Sequence, residues 1–244
     1  MNAMDNRLTS PFILLKRAWS LALDKSNVGA YLALGAIPQV FSFGIAALLS
    51  YTAGGDASNL EANITTFLTN TNSWWLEGII VVGLLILLIV SYVSMWYTAL
   101  LYKVYEATAA GTRDRLTSYI QPARLVSMRL LTTYVKVGFF TMLGFLLLVV
   151  PGIIIAVRYM FAPIVAALED PAVKPLKESE RLTAGRFWKL VGRSILIVLC
   201  YNVPLSLLQS IHPLIGSVWA MTSPVFGLYF FLVYLDFKRT TITA

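Results

Sequence analysis

Residues 78–93 read GIIVVGLLILLIVSYV and contain no charged side chain. The uncharged run continues to Tyr102, so it is long enough for the roughly 20 apolar residues with which a helix crosses a bilayer core of about 30 Å. Over the whole chain 58% of the residues are hydrophobic and 13% are charged, whereas a soluble domain has about 25% charged residues. The composition therefore excludes an ordinary soluble protein.

Three further regions predict the remaining membrane segments. Residues 26–55 carry no charge, and residues 194–235 form an uncharged run that is too long for one span and is interrupted by a His-Pro pair. Residues 137–168 contain a single charge, and Pro151–Gly152 near their middle predicts a turn, because proline interrupts the hydrogen bonds of a helix. Each of the last two regions is therefore predicted to turn back as a hairpin.

We predict an all-α integral membrane helical bundle, one transmembrane domain over residues 1–244 with six membrane segments in three hairpins. The predicted spans lie at about 28–53, 78–102, 137–150, 152–168, 194–211 and 214–235. All but one of the 19 Lys and Arg residues fall outside these spans, in the two ends of the chain and in residues 103–136 and 174–193, while residues 54–77 contain none. Because basic residues mark the cytoplasmic side, both termini are predicted to lie in the cytoplasm beneath the inner membrane. The net charge of +7 then reflects this bias and not nucleic-acid binding.

Short amphipathic helices, here called elbow helices, are predicted on the cytoplasmic side before the hairpins. In the first, which starts at Pro11, apolar side chains recur at helical spacing: Phe12, Leu15, Trp19 and Leu23. A second is predicted over 175–183 and ends before Gly185, and a weaker third over 116–131. Four basic side chains of these elbows are candidates for contact with anionic lipids of the inner leaflet: Lys16, Arg17, Lys177 and Arg181. The alternative is that they are ordinary basic flanks of spans.

Arg158 is the single basic residue inside a predicted span, and an intramembrane charge needs a partner or a function. Three roles stay open for it: an ion pair with Glu77 at the outer edge of the second span, extension of its side chain toward the outer surface, or contact with a lipid phosphate. Asn202 is an intramembrane polar residue that is expected to join helices.

The segment LLLVVPGIIIAVRYMFAPIVAALEDPAVKPLKESERLTAGRFWKLVG, residues 146–192, resembles a family of uncharacterised polytopic inner-membrane proteins of bacteria. That family includes YciC-like proteins and is similar to the membrane domain of some glycerophosphoryl-diester phosphodiesterases. The matching residues are Pro151, Gly152, Asp170, Pro171, Ser179, Gly185 and Trp188. The resemblance implies about six spans in the inner membrane and no settled activity. Phosphodiesterase activity is not implied, because the 244 residues contain no such catalytic domain.

The sequence offers little for catalysis. It contains no HExxH, GxSxG or GxxxxGK[ST] motif, and its only histidine, His212, precedes a proline at a predicted turn. We therefore expect no cofactor and no metal. The leading hypothesis is a non-enzymatic membrane protein that binds lipid or a membrane partner. A small transporter or channel component is the alternative, because helices broken at Pro38, Pro151 and Pro204 could expose backbone groups to a substrate. A membrane-embedded enzyme has the least support.

Overall fold

A computed structural model describes residues 8–52, 65, 73–112 and 114–242. This part of the chain contains ten α-helices and one 3₁₀ turn, Leu116–Tyr119. The helices are α1 (Pro11–Ala22), α2 (Val28–Thr52), α3 (Ser73–Ala110), α4 (Ile120–Leu147), α5 (Val149–Arg158), α6 (Ala162–Leu168), α7 (Pro175–Thr183), α8 (Phe187–Ile211), α9 (Pro213–Ala220) and α10 (Ser223–Ile242).

In the described residues, six helical stretches are long and apolar enough to cross a membrane, which confirms the predicted fold class. They are Val28–Ala47, Ile80–Ala110, Leu116–Leu147, Val149–Leu168, Phe187–Ile211 and Pro213–Thr241. The chain is therefore a multi-pass membrane protein. The predicted third elbow over 116–131 is wrong as a separate element, because the 3₁₀ turn leads directly into α4.

The second hairpin consists of α4 and the returning pair α5 and α6. Its turn lies at Leu148, which has an extended backbone (φ −167°), and not at the predicted Pro151–Gly152. Pro151 instead lies in the first turn of α5, where the missing N–H would lack a partner within the helix anyway. The two arms of the hairpin approach closely at Gly152, which has no side chain. A Cβ atom there would lie 2.6 Å from the ring of Phe145.

The third hairpin consists of α8 and the returning pair α9 and α10, and it turns at His212 as predicted. The imidazole Nδ1 of His212 accepts a hydrogen bond from the backbone N–H of Leu214 (3.2 Å) and so caps α9. The predicted breaks at Pro38 and Pro204 are wrong, because α2 and α8 continue through them. Helices in lipid tolerate proline where neighbouring groups or local adjustments satisfy the freed carbonyl.

Burial divides the described part of the molecule into two regions. In the first, which we call the packed end, α1, α6, α7 and the adjoining parts of α3, α4, α8 and α10 bury a common core that includes Leu130, Val165, Leu190 and Tyr234. In the second, the apolar half, large hydrophobic side chains are exposed throughout residues 37–45, 80–93, 139–154 and 195–218. Such an apolar surface matches a helical bundle whose outer solvent is hydrocarbon.

The first elbow helix is attached to the packed end. α1 packs against α10 and buries Leu14, Ala18 and Ala22. The predicted apolar face is therefore shifted: Phe12 and Leu23 are exposed, and Leu15 and Trp19 are half-buried. The buried face of α1 therefore consists of Leu14 and two alanines, while the larger Phe12 and Leu23 lie on its outer surface.

Candidate functional site

A groove of about 880 Å³ runs between residues 8–12, at the start of α1, and the first turns of α8. Its basic side chains come from α8 and the residue before it, Arg186, Lys189 and Arg193, and none of the described residues that line it is acidic. Trp188, Phe12 and Leu196 supply apolar surface. The arrangement therefore combines cations with apolar surface, which suits an amphipathic anion.

Arg193, which lines this groove, belongs to a buried ion pair behind it. Arg193 donates a hydrogen bond to Asp236 (3.0 Å), and both side chains are almost completely buried. The backbone N–H and the hydroxyl of Thr9 donate to the same carboxylate at 3.0 and 2.8 Å, and Arg193 also donates to the carbonyl of Thr9. Because these contacts join α8, α10 and the segment before α1, they fix the position of that segment beside the groove.

The three basic side chains differ in how far they are neutralised. Arg193 forms an ion pair with the carboxylate of Asp236, which also pairs with Arg239. Arg186 donates to the carbonyls of Phe237 and Thr240 and to the hydroxyl of Thr241, none of which is charged. Lys189 is exposed and makes no ion pair with any described residue. The groove therefore carries at least two positive charges that no described carboxylate balances.

The apolar side of the groove continues onto the apolar half. Trp188 is 80% exposed and Phe12 is 66% exposed. Beyond them, Ile195 and Leu199 are exposed on α8 and belong to the apolar surface of residues 195–218. A ligand with a charged head and a long apolar tail would therefore find surface for both parts.

Arg158 lies at the last residue of α5, where α7 packs against it. Its guanidinium pairs with Glu180 at 3.1 Å, and its carbonyl accepts a hydrogen bond from the hydroxyl of Ser179 (2.6 Å). The side chain of Glu77, the predicted partner, lies outside the described part of the structure. Arg158 is ten residues from the turn at Leu148, so it lies at the border of the packed end and not near the tip of its hairpin.

The four predicted lipid-contacting cations differ in their surroundings. Lys16 and Arg17 are exposed on α1. On α7, whose bounds match the prediction, Lys177 is exposed, but Arg181 is bound by Glu178 through two hydrogen bonds of 2.9 and 2.6 Å, and this contact raises the pKa of Arg181. With Glu178 and Glu180 present, α7 carries no net charge.

Three of the seven residues that carry the resemblance, Asp170, Pro171 and Gly185, lie in the turns before and after α7. Asp170 accepts a hydrogen bond from the N–H of Ala172 (2.8 Å) in the turn that contains Pro171. Ser179 is buried against α5, and Gly185 ends α7 with a positive φ of 69°, as predicted. Trp188 is the member of the set that reaches the groove.

A second polar cluster secures the α6–α7 turn to the rest of the packed end. Arg129 donates to the carbonyls of Glu169 (2.7 Å), Asp170 (3.0 Å) and Val173 (2.7 Å). Burial acts to raise the pKa of Glu169, but hydrogen bonds from Lys238 and Tyr234 outweigh it and lower that pKa below its ordinary value. The carboxylate is therefore charged at neutral pH and satisfied within the protein.

Asn202 does not bridge helices. Its side-chain amide donates to the carbonyl of Val198 (3.2 Å), one turn earlier on the same helix. Among the described residues, no group of three or more His, Cys, Asp or Glu side chains could hold a metal ion.

Sequence reasoning missed the Arg193–Asp236 pair, although the sequence contains a signal for it. The uncharged run 194–235 is flanked directly by these two residues, so a hairpin folded about its middle brings them together. The contact with Thr9 could not be found in this way, because it joins residues far apart in the chain.

Comparison with known protein families, with curated proteins and with solved structures finds no match for this chain.

Proposed function

We propose that this chain is a non-enzymatic protein of the cytoplasmic membrane that binds lipid through the basic surface of its packed end. The observation that carries the proposal is the distribution of unbalanced charge. Lys16 and Arg17 on α1 and Lys189 on α8 are exposed without an ion-pair partner among the described residues, whereas the exposed Lys177 lies on α7, which carries no net charge. The anionic inner leaflet attracts such side chains with about 1 kcal/mol each.

The orientation follows from the same charges. Basic residues are retained on the cytoplasmic side, so we place the packed end, with residues 8–27 and 236–242, in the cytoplasm. The resemblance of residues 146–192 to a bacterial inner-membrane family supports this location. Cysteines provide a test on a Cys200→Ala background: Ser20→Cys should label only from the inside and Ser210→Cys only from the outside. The reverse pattern would contradict the orientation.

Lipid preference tests the function itself. We expect the purified protein to retain phosphatidylglycerol over phosphatidylethanolamine of the same acyl chains when both are supplied equally and bound lipids are counted by native mass spectrometry. The preference should weaken at high ionic strength, because salt screens exposed charges. Equal retention of the two lipids would contradict the proposal.

Transport is a second candidate, supported by two interruptions of the returning arms. α5 ends at Arg158 and α6 begins at Ala162, while α9 ends at Ala220 and α10 begins at Ser223. Discontinuous helices can offer backbone groups to a substrate, although at the α5–α6 interruption the carbonyl of Arg158 and the N–H of Phe161 are already bonded to Ser179. Solute-dependent flux or ion currents in proteoliposomes would favour this candidate over lipid binding alone.

A further inference from the structure

We infer that the groove between residues 8–12 and α8 is a binding site for one anionic phospholipid, whose phosphate contacts Lys189 beside Arg186 and whose acyl chain follows α8 past Leu196. This inference rests on the proposed lipid binding and assigns it to one site and one class of lipid.

Charge complementarity identifies the headgroup. Arg186 is held in place by uncharged acceptors at the end of α10, so its position is fixed but its charge is available to a ligand. Lys189 follows one turn later on α8 and has no carboxylate partner in the described part. A phosphodiester can neutralise these cations with charge-assisted hydrogen bonds.

The surroundings favour a lipid over a free phosphate. An inorganic phosphate would use the cations and leave the exposed surfaces of Trp188 and Phe12 in water. A phospholipid covers those surfaces, and its chain continues along Ile195 and Leu199 into the apolar half. Tryptophan is also common at the level of lipid headgroups.

The elbow helix α7 lacks this combination. It carries no net charge, since Arg181 pairs with Glu178 and Glu180 pairs with Arg158, and Lys177 does not line the groove. Lys177 is therefore a matched control for Lys189, because both are exposed lysines at the packed end and only one lines the groove.

The test compares Lys189→Gln with Lys177→Gln in the native mass spectrometry assay, after circular dichroism has shown that both variants fold. Loss of one interfacial cation is expected to lower the affinity for phosphatidylglycerol about fivefold in Lys189→Gln. Retention should stay at the wild-type level in Lys177→Gln. In the wild type, brominated phosphatidylglycerol should also quench a fluorescence component that Trp188→Phe removes.

Each outcome is decisive. If the wild type prefers phosphatidylglycerol but the two lysine variants behave alike, the groove assignment is overturned and general lipid binding stands. If the wild type shows no preference, the proposed function itself fails. If inorganic phosphate at millimolar concentration displaces the bound lipid, the site is a phosphate site and the lipid assignment is overturned.

Discussion

The first half of α3 and helix α10 differ in how far their apolar side chains are buried. In the first half of α3, Leu85 and Leu88 are 54% and 62% exposed, although the segment is among the most apolar in the chain. In α10, Leu228 and Val233 are fully buried. Hydrophobicity alone therefore does not determine burial here. Hydrocarbon solvates side chains in the apolar half, whereas contacts between helices bury those in the packed end.

The largest expected effect concerns the charges enclosed by the packed end. Asp236→Ala leaves Arg193 buried without its carboxylate, which should lower the free energy of unfolding in detergent by about 3–5 kcal/mol. The double variant Arg193→Met/Asp236→Leu should lose less than the single one, because it buries no unpaired charge. A loss below about 1 kcal/mol for Asp236→Ala would show that the pair does not hold α8, α10 and the Thr9 segment together.

Truncation of one leucine in each region tests the comparison directly. Leu228→Ala should reduce the free energy of unfolding in detergent by about 2–5 kcal/mol, because it leaves a cavity in a close-packed core. Leu85→Ala should change it by less than about 0.5 kcal/mol, since few protein atoms surround that side chain. Similar losses at both positions would mean that α3 packs against protein in its first half.

Two glycines of α2 provide a smaller and closely matched contrast. A Cβ atom at Gly35 would lie 1.9 Å from the carbonyl oxygen of Met221, whereas nothing lies within 4 Å of one at Gly44. Gly35→Ala should therefore cost about 1–3 kcal/mol through overpacking. Gly44→Ala should be neutral or stabilising by up to about 1 kcal/mol, because alanine favours the helix. The melting temperatures of the two variants would be compared by thermal unfolding in the same detergent. Equal values would show that α2 does not contact the α9–α10 junction at Gly35.

The sequence predicted the features that depend on composition and local chemistry. Uncharged length predicted the six spans, and the His212–Pro213 and Gly185 positions predicted a turn and a helix end. The turn at Leu148 could not be located, because Pro151 fits the first turn of a helix as well as a break. The contact of Arg158 with Glu180 also depends on α7 folding back against α5. The groove depends on a tertiary contact between Thr9 and Asp236, for which hydropathy gives no signal.

The contrast between the two regions means that the apolar half faces hydrocarbon while the packed end does not. Spin labels at Leu85, Met142 and Val203, one in each hairpin, and at Lys177 in the packed end would test it in nanodiscs on a Cys200→Ala background. We expect oxygen to collide with the first three labels while a water-soluble nickel chelate does not, and we expect the opposite for the label at residue 177. Collision of the nickel chelate with the labels at 85, 142 and 203, or inaccessibility of those labels to both reagents, would contradict the claim.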